Sequence, residues 1–356
     1  MNDASPPPGL EPLPFAALPG WADDDHAAAF RAFRRGSAVL AEHPPKTRAL
    51  GMDGALLAEA LRRAENLPAD LSAGHARQFF EVHFTPRRIV PPAGFFTGYY
   101  EPVVAGSRKR SARFPVPLLR PPADLVEIEP GSVPGLSPDF RFARRTGDGF
   151  AEHPDRGAVM AGALDGRDLE LVWLADWIEA FFIHVQGAAR IRLAEGGEMR
   201  VTYAAKSGHA YSPVGKVLLE RGVAPPVTMQ VIRAWLAAHP DDLASVLATN
   251  RSYIFFREAA VDDPALGPIA AAKVPLSEGR SLAVDRLLHT FHTPVFVDTT
   301  TPDGAPYRRL MIAQDTGSAI VGPGRGDIFF GSGDAAGEIA GRMKASGGFF
   351  ILAPKP

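Results

Sequence analysis

The glycine-rich stretch between residues 311 and 333 is the part of the sequence best suited to acid–base chemistry. It contains two acids, Asp315 and Asp327, and the apolar run Ile328-Phe329-Phe330 follows the second of them. Apolar neighbours desolvate a carboxyl group and raise its pKa, so that it can donate a proton near neutral pH. The alternative is structural, with Asp327 in an Asx-turn and Asp315 at the end of a strand. Spacing alone favours the structural interpretation.

Two further segments have the composition of a carbohydrate-binding surface. From Tyr203 to Tyr211, aromatic, cationic and hydroxyl-bearing residues alternate with small ones, and Thr97 to Glu101 adds a threonine, two tyrosines and an acid. Aromatic rings stack on sugar rings, while hydroxyl and amide groups bond sugar hydroxyls. A pair of half-buried strands would show the same alternation, so spacing leaves both interpretations open.

Several other catalytic chemistries have little support in the sequence. The chain has no cysteine, which excludes disulfides, thiolate metal sites and cysteine nucleophiles. Ser207 and Ser318 lack the Gly-x-Ser-x-Gly pattern of an α/β-hydrolase, and the turn at 322–327 lacks the Lys-Ser/Thr of a phosphate loop. His289 and His292 have the spacing of metal ligands on one helical face, but no Glu-containing motif accompanies them. An ordinary loop or core pair is the favoured interpretation of these histidines.

The charge of the chain gives no sign of a nucleic-acid partner. Its 38 basic and 40 acidic residues give a formal net charge of -2, so no general attraction to a polyanion or an anionic membrane is expected. The short basic run from Arg108 to Arg113 is interpreted as a solvated loop. The sequence shows no signal segment and no apolar run of the roughly twenty residues that span a bilayer. As given, the chain is expected to be soluble.

The elements that must position the candidate residues are predicted to be mainly strands and turns. Among the 356 residues are 35 Gly and 34 Pro, a composition that favours many short strands over a helical bundle. Apolar spacing predicts helices before the change of pattern at Pro91-Pro92, and short helical interruptions after it. The predicted helices cover 29–40, 55–66, 73–82, 171–182, 213–221, 229–238, 241–248 and 335–344. Strands are predicted at 253–256, 283–284, 295–297, 310–313 and 349–352.

Six blocks, in order along the chain, resemble the membrane-bound lytic murein transglycosylase A family. They are Phe96–Pro102, Phe182–Gly187, Tyr203–Tyr211 with Gly215–Leu218, Asn250–Phe256, Gly279–Arg286 and Asp315–Gly333. The resemblance covers most of the chain from about Phe95 onward. One departure is the turn Gly322–Gly326, which is longer and richer in glycine than the family version.

The resemblance implies a mainly β fold with flanking helices. A double-psi β-barrel domain would carry the catalytic residues, a smaller β-barrel-like domain would be inserted into it, and a groove would lie between them. Residues 1–102 and 241–356 would form the discontinuous catalytic domain with its N-terminal helices, and residues 103–240 the inserted domain. The C-terminal module resembles the three-aspartate domain, whose acids correspond to Asp285, Asp315 and Asp327.

The resemblance also implies an enzyme without metal or cofactor that cleaves the β-1,4 bond between N-acetylmuramic acid and N-acetylglucosamine in peptidoglycan. Asp327 would be the single catalytic acid, and Asp315 would tune it by like-charge repulsion that keeps Asp327 protonated. The product would carry a 1,6-anhydromuramic end. Substrate contacts are expected from Thr97, Tyr99, Tyr100, Glu101, Gln186, Lys206, Ser207, His209, Tyr211 and Asp285.

The expected partner is the peptidoglycan glycan strand, bound by a monomer that also joins complexes for cell-wall synthesis or hydrolysis. The expected location is the periplasm, with an outer-membrane anchor in a full-length form, although the sequence shows neither a signal segment nor an anchoring cysteine. Two other functions remain open at this point. One is a non-catalytic peptidoglycan-binding module, and the other is a metal-dependent hydrolase that uses His289, His292 and nearby acids.

Overall fold

The computed structural model describes residues 9–90, 94–260 and 262–356. The first residues of the Pro-rich leader and the pattern change at Pro91-Pro92 lie outside this range. The chain divides into two compact units, one formed by Met1–Tyr100 with Asp263–Pro356 and the other by Glu101–Asp262. Within the described residues, no helix combines the length and the apolar character needed to cross a membrane.

The elements are as follows in chain order. The strands are β1 (Gly9–Pro12), β2 (Phe84–Val90), β3 (Gly94–Glu101), β4 (Val103–Ser107), β5 (Val116–Leu119), β6 (Leu125–Glu127), β7 (Phe142–Thr146), β8 (Gly149–Ala151), β9 (Glu170–Leu174), β10 (Ala188–Leu193), β11 (Glu198–Lys206), β12 (Ile254–Glu258), β13 (Ser281–Val284), β14 (Pro294–Thr300), β15 (Pro306–Asp315), β16 (Arg325–Ser332) and β17 (Lys344–Pro354). The helices are α1 (His26–Arg34), α2 (Gly54–Glu65), α3 (Ala73–His83), α4 (Arg156–Met160), α5 (Trp177–Gln186), α6 (Val214–Glu220), α7 (Met229–Ala238), α8 (Pro240–Ala248) and α9 (Asp334–Ala340).

The first unit contains a closed ring of six strands. Its sheet has the order β1-β2-β17-β14-β15-β13-β16-β3, and β3 also pairs with β17, so β17, β14, β15, β13, β16 and β3 form a barrel. The pair β13–β15 is parallel, whereas β14–β15, β13–β16 and β17–β3 are antiparallel. One buried apolar cluster comprises inward-facing residues of these strands, among them Phe96, Leu282, Val295, Ile328 and Ile351. The predicted fold class, mainly β with a barrel and flanking helices, is confirmed.

Helices α1, α2 and α3 cover one side of this sheet. The side chains of Asp25, Asp53 and Ser72 accept backbone N–H groups at the starts of α1, α2 and α3, respectively, as helix-capping residues do. The apolar faces meet in a second core that is rich in phenylalanine. The first predicted helix is interrupted, because α1 ends at Arg34 and a 3-10 helix continues from Arg35 to Val39.

The second unit is built on a six-stranded sheet of order β12-β11-β10-β4-β9-β5, beside a three-stranded sheet β6-β7-β8. The prediction of a helix at 171–182 is wrong for its first part, since Leu171–Leu174 belong to β9, which lies between β4 and β5. A strand covered on both faces has the continuous apolar pattern of a buried helix. Helix α5 begins only at Trp177, after Asp176, whose side chain accepts a backbone N–H group at the helix start. The unit extends to Asp262 rather than to residue 240, because β12 pairs with β11.

Candidate active site

The carboxyl group of Asp327 on β16 is held by a side chain from β3. The Thr97 hydroxyl donates a hydrogen bond to Oδ1 of Asp327. Arg325 in turn donates from Nη2 to the Thr97 hydroxyl oxygen at 2.6 Å. A guanidinium group has no acceptor, so the Thr97 oxygen accepts from Arg325 and its proton is directed toward Asp327. Arg325 and Asp327 lie two residues apart on one strand and therefore share a face.

Opposing influences set the protonation of Asp327. The residue is half-buried, and burial, the largest influence, raises the pKa of its carboxyl group above the ordinary value. The Thr97 hydrogen bond and the positive charge of Arg325 act in the opposite direction and lower that pKa. The net effect is a raised pKa, which is what a proton-donating carboxyl needs.

A β-bulge in β15 sets the position of the second carboxyl group, that of Asp315. Along β13 and β15, Leu282 pairs with Ala313, but the next residue, Ala283, pairs with Asp315. Gln314 is the extra residue, and its fully buried side chain accepts a hydrogen bond from the Ser281 hydroxyl at 2.6 Å and donates one to the Ala32 carbonyl at 2.9 Å. Without the bulge, Gln314 would lie opposite Ala283. The bulge therefore determines which side chain reaches the site.

Ala283 lies between the two acids. It pairs with Asp315 on one side and with Asp327 on the other. Directly paired residues project from the same face of a sheet, so both carboxyl groups emerge beside the Ala283 methyl group. Strands in a sheet are about 4.8 Å apart, which puts the two aspartate Cα atoms about 10 Å apart. The small side chain of Ala283 leaves the space above it open to a third residue.

Burial also dominates the protonation of Asp315 and raises its pKa to about 6. Backbone N–H groups of Thr316 and Ala271 lower this pKa, and the Ala271 N–H donates to Oδ1 at 3.2 Å. The Tyr99 hydroxyl also lowers the pKa of Asp315, and the charge of Asp327 raises it as a smaller influence. Like-charge repulsion, which the sequence suggested as the reason for a protonated Asp327, is therefore secondary to burial at this site.

The remaining predicted residues of the first unit have different environments. Tyr99 lies on the same face of β3 as Thr97, and its ring packs 5.3 Å from that of Phe329. Tyr100 is buried and contacts α9 at Gly337, where an added Cβ would lie 2.9 Å from the tyrosine ring.

Asp285 holds the glycine-rich turn that precedes Asp327. Its Oδ2 accepts from the backbone N–H of Gly322 at 2.9 Å, and its Oδ1 accepts from that of Leu287 at 2.9 Å. Gly322 begins the turn at 322–326, which leads into β16 and to Asp327. Both carboxylate oxygens are used within the protein, so the geometry supports a turn-stabilising role for Asp285 more than a sugar contact.

Three of the predicted residues in the second unit have their polar atoms in internal contacts. Glu101 is fully buried and forms ion pairs with Arg190 at 3.2 Å and Arg200 at 3.8 Å. The buried hydroxyl of Ser207 accepts from a backbone N–H at 3.1 Å. His209 is 2% exposed, and its Nε2 is 2.7 Å from a backbone carbonyl oxygen.

The other three predicted residues of this unit, Gln186, Lys206 and Tyr211, are half-buried and retain partial access to solvent. Burial raises the pKa of the Tyr211 hydroxyl. Each of them keeps part of its surface exposed to solvent, unlike the three buried residues.

His289 and His292, the candidate metal ligands, lie in the protein interior. Both are buried, and burial lowers their pKa values to about 4. His289 is bonded through Nε2 to the carbonyl of Pro323 at 2.8 Å. Across residues 9–90, 94–260 and 262–356, no group of three or more His, Cys, Asp or Glu side chains is arranged to hold a metal ion. The favoured interpretation of the two histidines as a loop or core pair agrees with these surroundings.

Three residues of the site were not singled out from the sequence. Arg325 is detectable in principle, because its spacing of two from Asp327 predicts a shared face once the segment is taken as a strand. Gln314 and Ala283 are not, because their importance depends on a register shift between distant strands. No local pattern indicates such a shift.

Comparison with known proteins agrees with this geometry. Residues 95–257 match the MltA specific insert domain, and residues 280–353 match the 3D domain. A crystal structure of a membrane-bound lytic murein transglycosylase from Agrobacterium tumefaciens is 46% identical, with a TM-score of 0.90, over 97% of this chain and 98% of that one. The chain belongs to the membrane-bound lytic murein transglycosylase A family.

Two relatives from Escherichia coli extend the comparison. The membrane-bound lytic murein transglycosylase A of strain K12 is 30% identical over 272 residues, which span 73% of this chain and 66%, just under two thirds, of that protein. The crystal structure of Escherichia coli MltA with bound chitohexaose is 25% identical, with a TM-score of 0.66, over 99% of this chain and 96% of that one. The predicted family is confirmed. Asp285, Asp315 and Asp327 all lie within the 3D domain of this family member.

Proposed function

We propose that this chain is a peptidoglycan lytic transglycosylase in which Asp327 is the single catalytic acid and base. The observation that supports this role most directly is the environment of Asp327. Its carboxyl group has a raised pKa through burial, and the Thr97–Arg325 pair fixes its orientation. The names of the relatives, and the chitohexaose bound to one of them, support a β-1,4-linked amino-sugar substrate.

The reaction needs one proton to be given and one to be taken back. Protonated Asp327 donates to the glycosidic oxygen between N-acetylmuramic acid and N-acetylglucosamine, and the bond from C1 to that oxygen breaks with its electron pair on the leaving sugar. An oxocarbenium-like centre develops at C1. The muramic C6 hydroxyl then attacks C1 and gives its proton to the Asp327 carboxylate. The products are an anhydromuramic end and a free N-acetylglucosamine end, with no water consumed.

A second catalytic carboxylate is unnecessary because the nucleophile belongs to the substrate. Ordinary glycosidases use two carboxyl groups, one of which activates water or attacks the sugar. A tethered hydroxyl reaches effective concentrations of the order of 10⁵ M or more, so it does not require such activation. Asp315 then has a different task, which is to place a second ionisable group beside Asp327 and influence when Asp327 is charged.

The substrate contacts, partners and location belong to the same proposal. Thr97 and Tyr99 lie at the catalytic carboxyl, and Gln186, Lys206 and Tyr211 are the predicted contacts with side chains that remain accessible. We propose that a monomer binds peptidoglycan strands in the periplasm, with a membrane anchor in a full-length form and participation in cell-wall synthesis or hydrolysis complexes. Glu101, Ser207 and His209 would support the fold around these contacts rather than touch the sugar. Tyr100 and Asp285 would do the same in the first unit.

Product analysis of the Asp327→Asn variant tests the catalytic proposal. Purified sacculi are incubated with the wild-type protein, with Asp327→Asn, and with Asp23→Asn, which changes an exposed acid of the same unit. We expect anhydromuropeptides from the wild type and from Asp23→Asn, and at least a hundredfold less from Asp327→Asn. Sacculus binding is measured in parallel by sedimentation and should be retained in all three proteins.

Each alternative function has its own result in this experiment. Products heavier by one water, with reducing muramic ends, would show a hydrolase instead. Binding without product formation by the wild type would identify a non-catalytic murein-binding module. Loss of activity with a chelator would support the metal-dependent hydrolase, whereas we expect activity to be unaffected.

A further inference from the structure

The hydroxyl group of Tyr99 is buried beside the candidate catalytic acid. Tyr99 is 9% exposed, and its buried hydroxyl oxygen makes no hydrogen bond of normal geometry among the described residues. It nevertheless lies near enough to Asp315 to lower the pKa of that carboxyl group by hydrogen bonding. A buried phenol without a partner loses its hydration without compensation, and such groups are rare in folded proteins. The position of this hydroxyl therefore calls for a functional explanation.

Tyr99 shares a buried apolar cluster with the residue that lies between the two aspartates. Tyr99 belongs to a small apolar cluster with Ala283 and Phe329. Ala283 is the residue that pairs with Asp315 on one side and Asp327 on the other. The tyrosine ring thus belongs to the cluster that contains the small residue between the two acids. A larger residue at position 283 would fill the space that this small residue leaves.

The charges around Tyr99 keep it a hydrogen-bond donor. Burial raises the pKa of its hydroxyl well above the ordinary value, and the charges of Asp315 on β15 and Asp327 on β16 raise it further. Among the described residues, the polar groups at the two carboxyls include Thr97 on β3 and Arg325 on β16, which bond to one another, and the backbone N–H groups of Ala271 and Thr316. Tyr99 therefore carries its proton at every pH at which the enzyme is expected to work.

We propose that Tyr99 is a positioning residue whose single hydroxyl proton is shared between the two aspartates. It is directed to the Asp315 carboxylate while Asp327 is protonated, and it turns to Asp327 once that group has given its proton to the substrate. Tyr99 itself never ionises and transfers no proton. This inference rests on the proposed function, because only an acid that becomes a carboxylate during the reaction needs a donor that is used part of the time.

The proposal explains why a buried hydroxyl is left without a fixed partner. A donor held permanently by Asp315 would not help Asp327 after ionisation, and one held permanently by Asp327 would favour the charged form before reaction. A donor that can turn between two acceptors can stabilise the charged state that exists at each stage. Stabilisation of this kind acts on the intermediate and therefore on kcat.

Replacing Tyr99 by phenylalanine tests the proposal, with Tyr307→Phe as the control. Tyr307 is also buried and lies on β15, but its hydroxyl donates to the sulfur of Met311, at 4.0 Å, rather than to a carboxyl group. The kcat–pH profile is measured on soluble murein glycan fragments for the wild type and both variants. In Tyr99→Phe, the loss of a donor to the charged carboxyls should move both limbs of the profile up by about one pH unit and lower kcat about tenfold. Tyr307→Phe should leave the profile in place.

A second measurement does not depend on activity. Carboxyl-carbon NMR of protein labelled with carbon-13 aspartate gives the titration midpoints of Asp315 and Asp327, which are assigned with the Asp315→Asn and Asp327→Asn variants. We expect the Asp315 midpoint to rise in Tyr99→Phe and to be unchanged in Tyr307→Phe. An unmoved midpoint, or a lower kcat with an unmoved profile, would overturn the proposal. A wild-type protein without anhydromuropeptide products would overturn the proposed function instead, while the midpoints would still decide whether Tyr99 bonds the aspartates.

Discussion

Replacing Gln314 by leucine tests how much the side chain at the β-bulge contributes to the stability of the protein. Leucine is similar in size but can neither accept from the Ser281 hydroxyl nor donate to the Ala32 carbonyl. Ala32 belongs to the last turn of α1, whose carbonyl groups lack intrahelical partners. The variant leaves the Ser281 O–H without its acceptor and the Ala32 carbonyl without this donor, at about 1–3 kcal/mol each, while the Ser281 oxygen still accepts from the Ser277 N–H. After allowance for the apolar side chain gained, we expect a loss of about 2–4 kcal/mol in the free energy of unfolding.

The same change should affect activity, because Gln314 anchors the register that places Asp315 opposite Ala283. Urea unfolding followed by circular dichroism measures the stability of Gln314→Leu, and anhydromuropeptide release from sacculi measures its activity at a temperature where it remains folded. The control is Gln78→Leu, which changes an exposed glutamine of α3 in the same unit and should be neutral in both assays. If Gln314→Leu kept both the stability and the activity of the wild type, the bulge would not depend on this side chain and our explanation of the Asp315 position would be refuted.

Two further predictions concern the carboxyl groups. Thr97→Val removes the hydroxyl that donates to Asp327, so the pKa of Asp327 should rise and the alkaline limb of the kcat–pH profile should move up by about one unit; a downward shift would contradict the arrangement. Asp315→Asn should stabilise the protein at pH 8 but not below about pH 4. The pKa of Asp315 is raised to about 6 in the fold, so its ionisation as the pH rises costs stability that asparagine does not lose. Urea unfolding at the two pH values checks this, and equal stability of both proteins at pH 8 would count against a buried carboxylate.

Local signals were sufficient for part of the fold. The helices at Gly54–Glu65 and Ala73–His83 follow from apolar spacing after capping residues, and the predicted strand segments at 283–284, 295–297, 310–313 and 349–352 all lie inside observed strands. The closure of the ring was not visible in any segment, because it depends on β17. The first residues of that strand pair with β3 and later ones with β14. The predicted helix at 335–344 ends early, at Ala340, because Lys344 already pairs with Thr97.

The active-site prediction was limited in the same way. The apolar run after Asp327 indicated a desolvated carboxyl, and strand alternation divides that run between two faces. Phe329 lies on the face of Asp327 and packs against Tyr99, whereas Ile328 faces the barrel core. The sequence could name the acids and a threonine beside an aromatic segment. It could not show that Thr97 rather than Asp315 bonds Asp327, since that contact joins residues far apart in the chain.

The opposing influences on the pKa of Asp327 suit the two proton transfers of the proposed reaction. A residue that first gives a proton and then takes one back works best when its pKa lies near the working pH, because a very high pKa makes a poor donor and a low one makes a poor base. Burial alone would hold Asp327 too firmly in the protonated form. Thr97 and Arg325 oppose that effect from one side, and Tyr99, in our proposal, supplies a donor only after the proton has left. The Thr97 bond is permanent and the Tyr99 bond is conditional, so the two residues would act on different steps. A double variant that lacks both hydroxyls should therefore lose more activity than either single variant, with a profile displaced further toward alkaline pH.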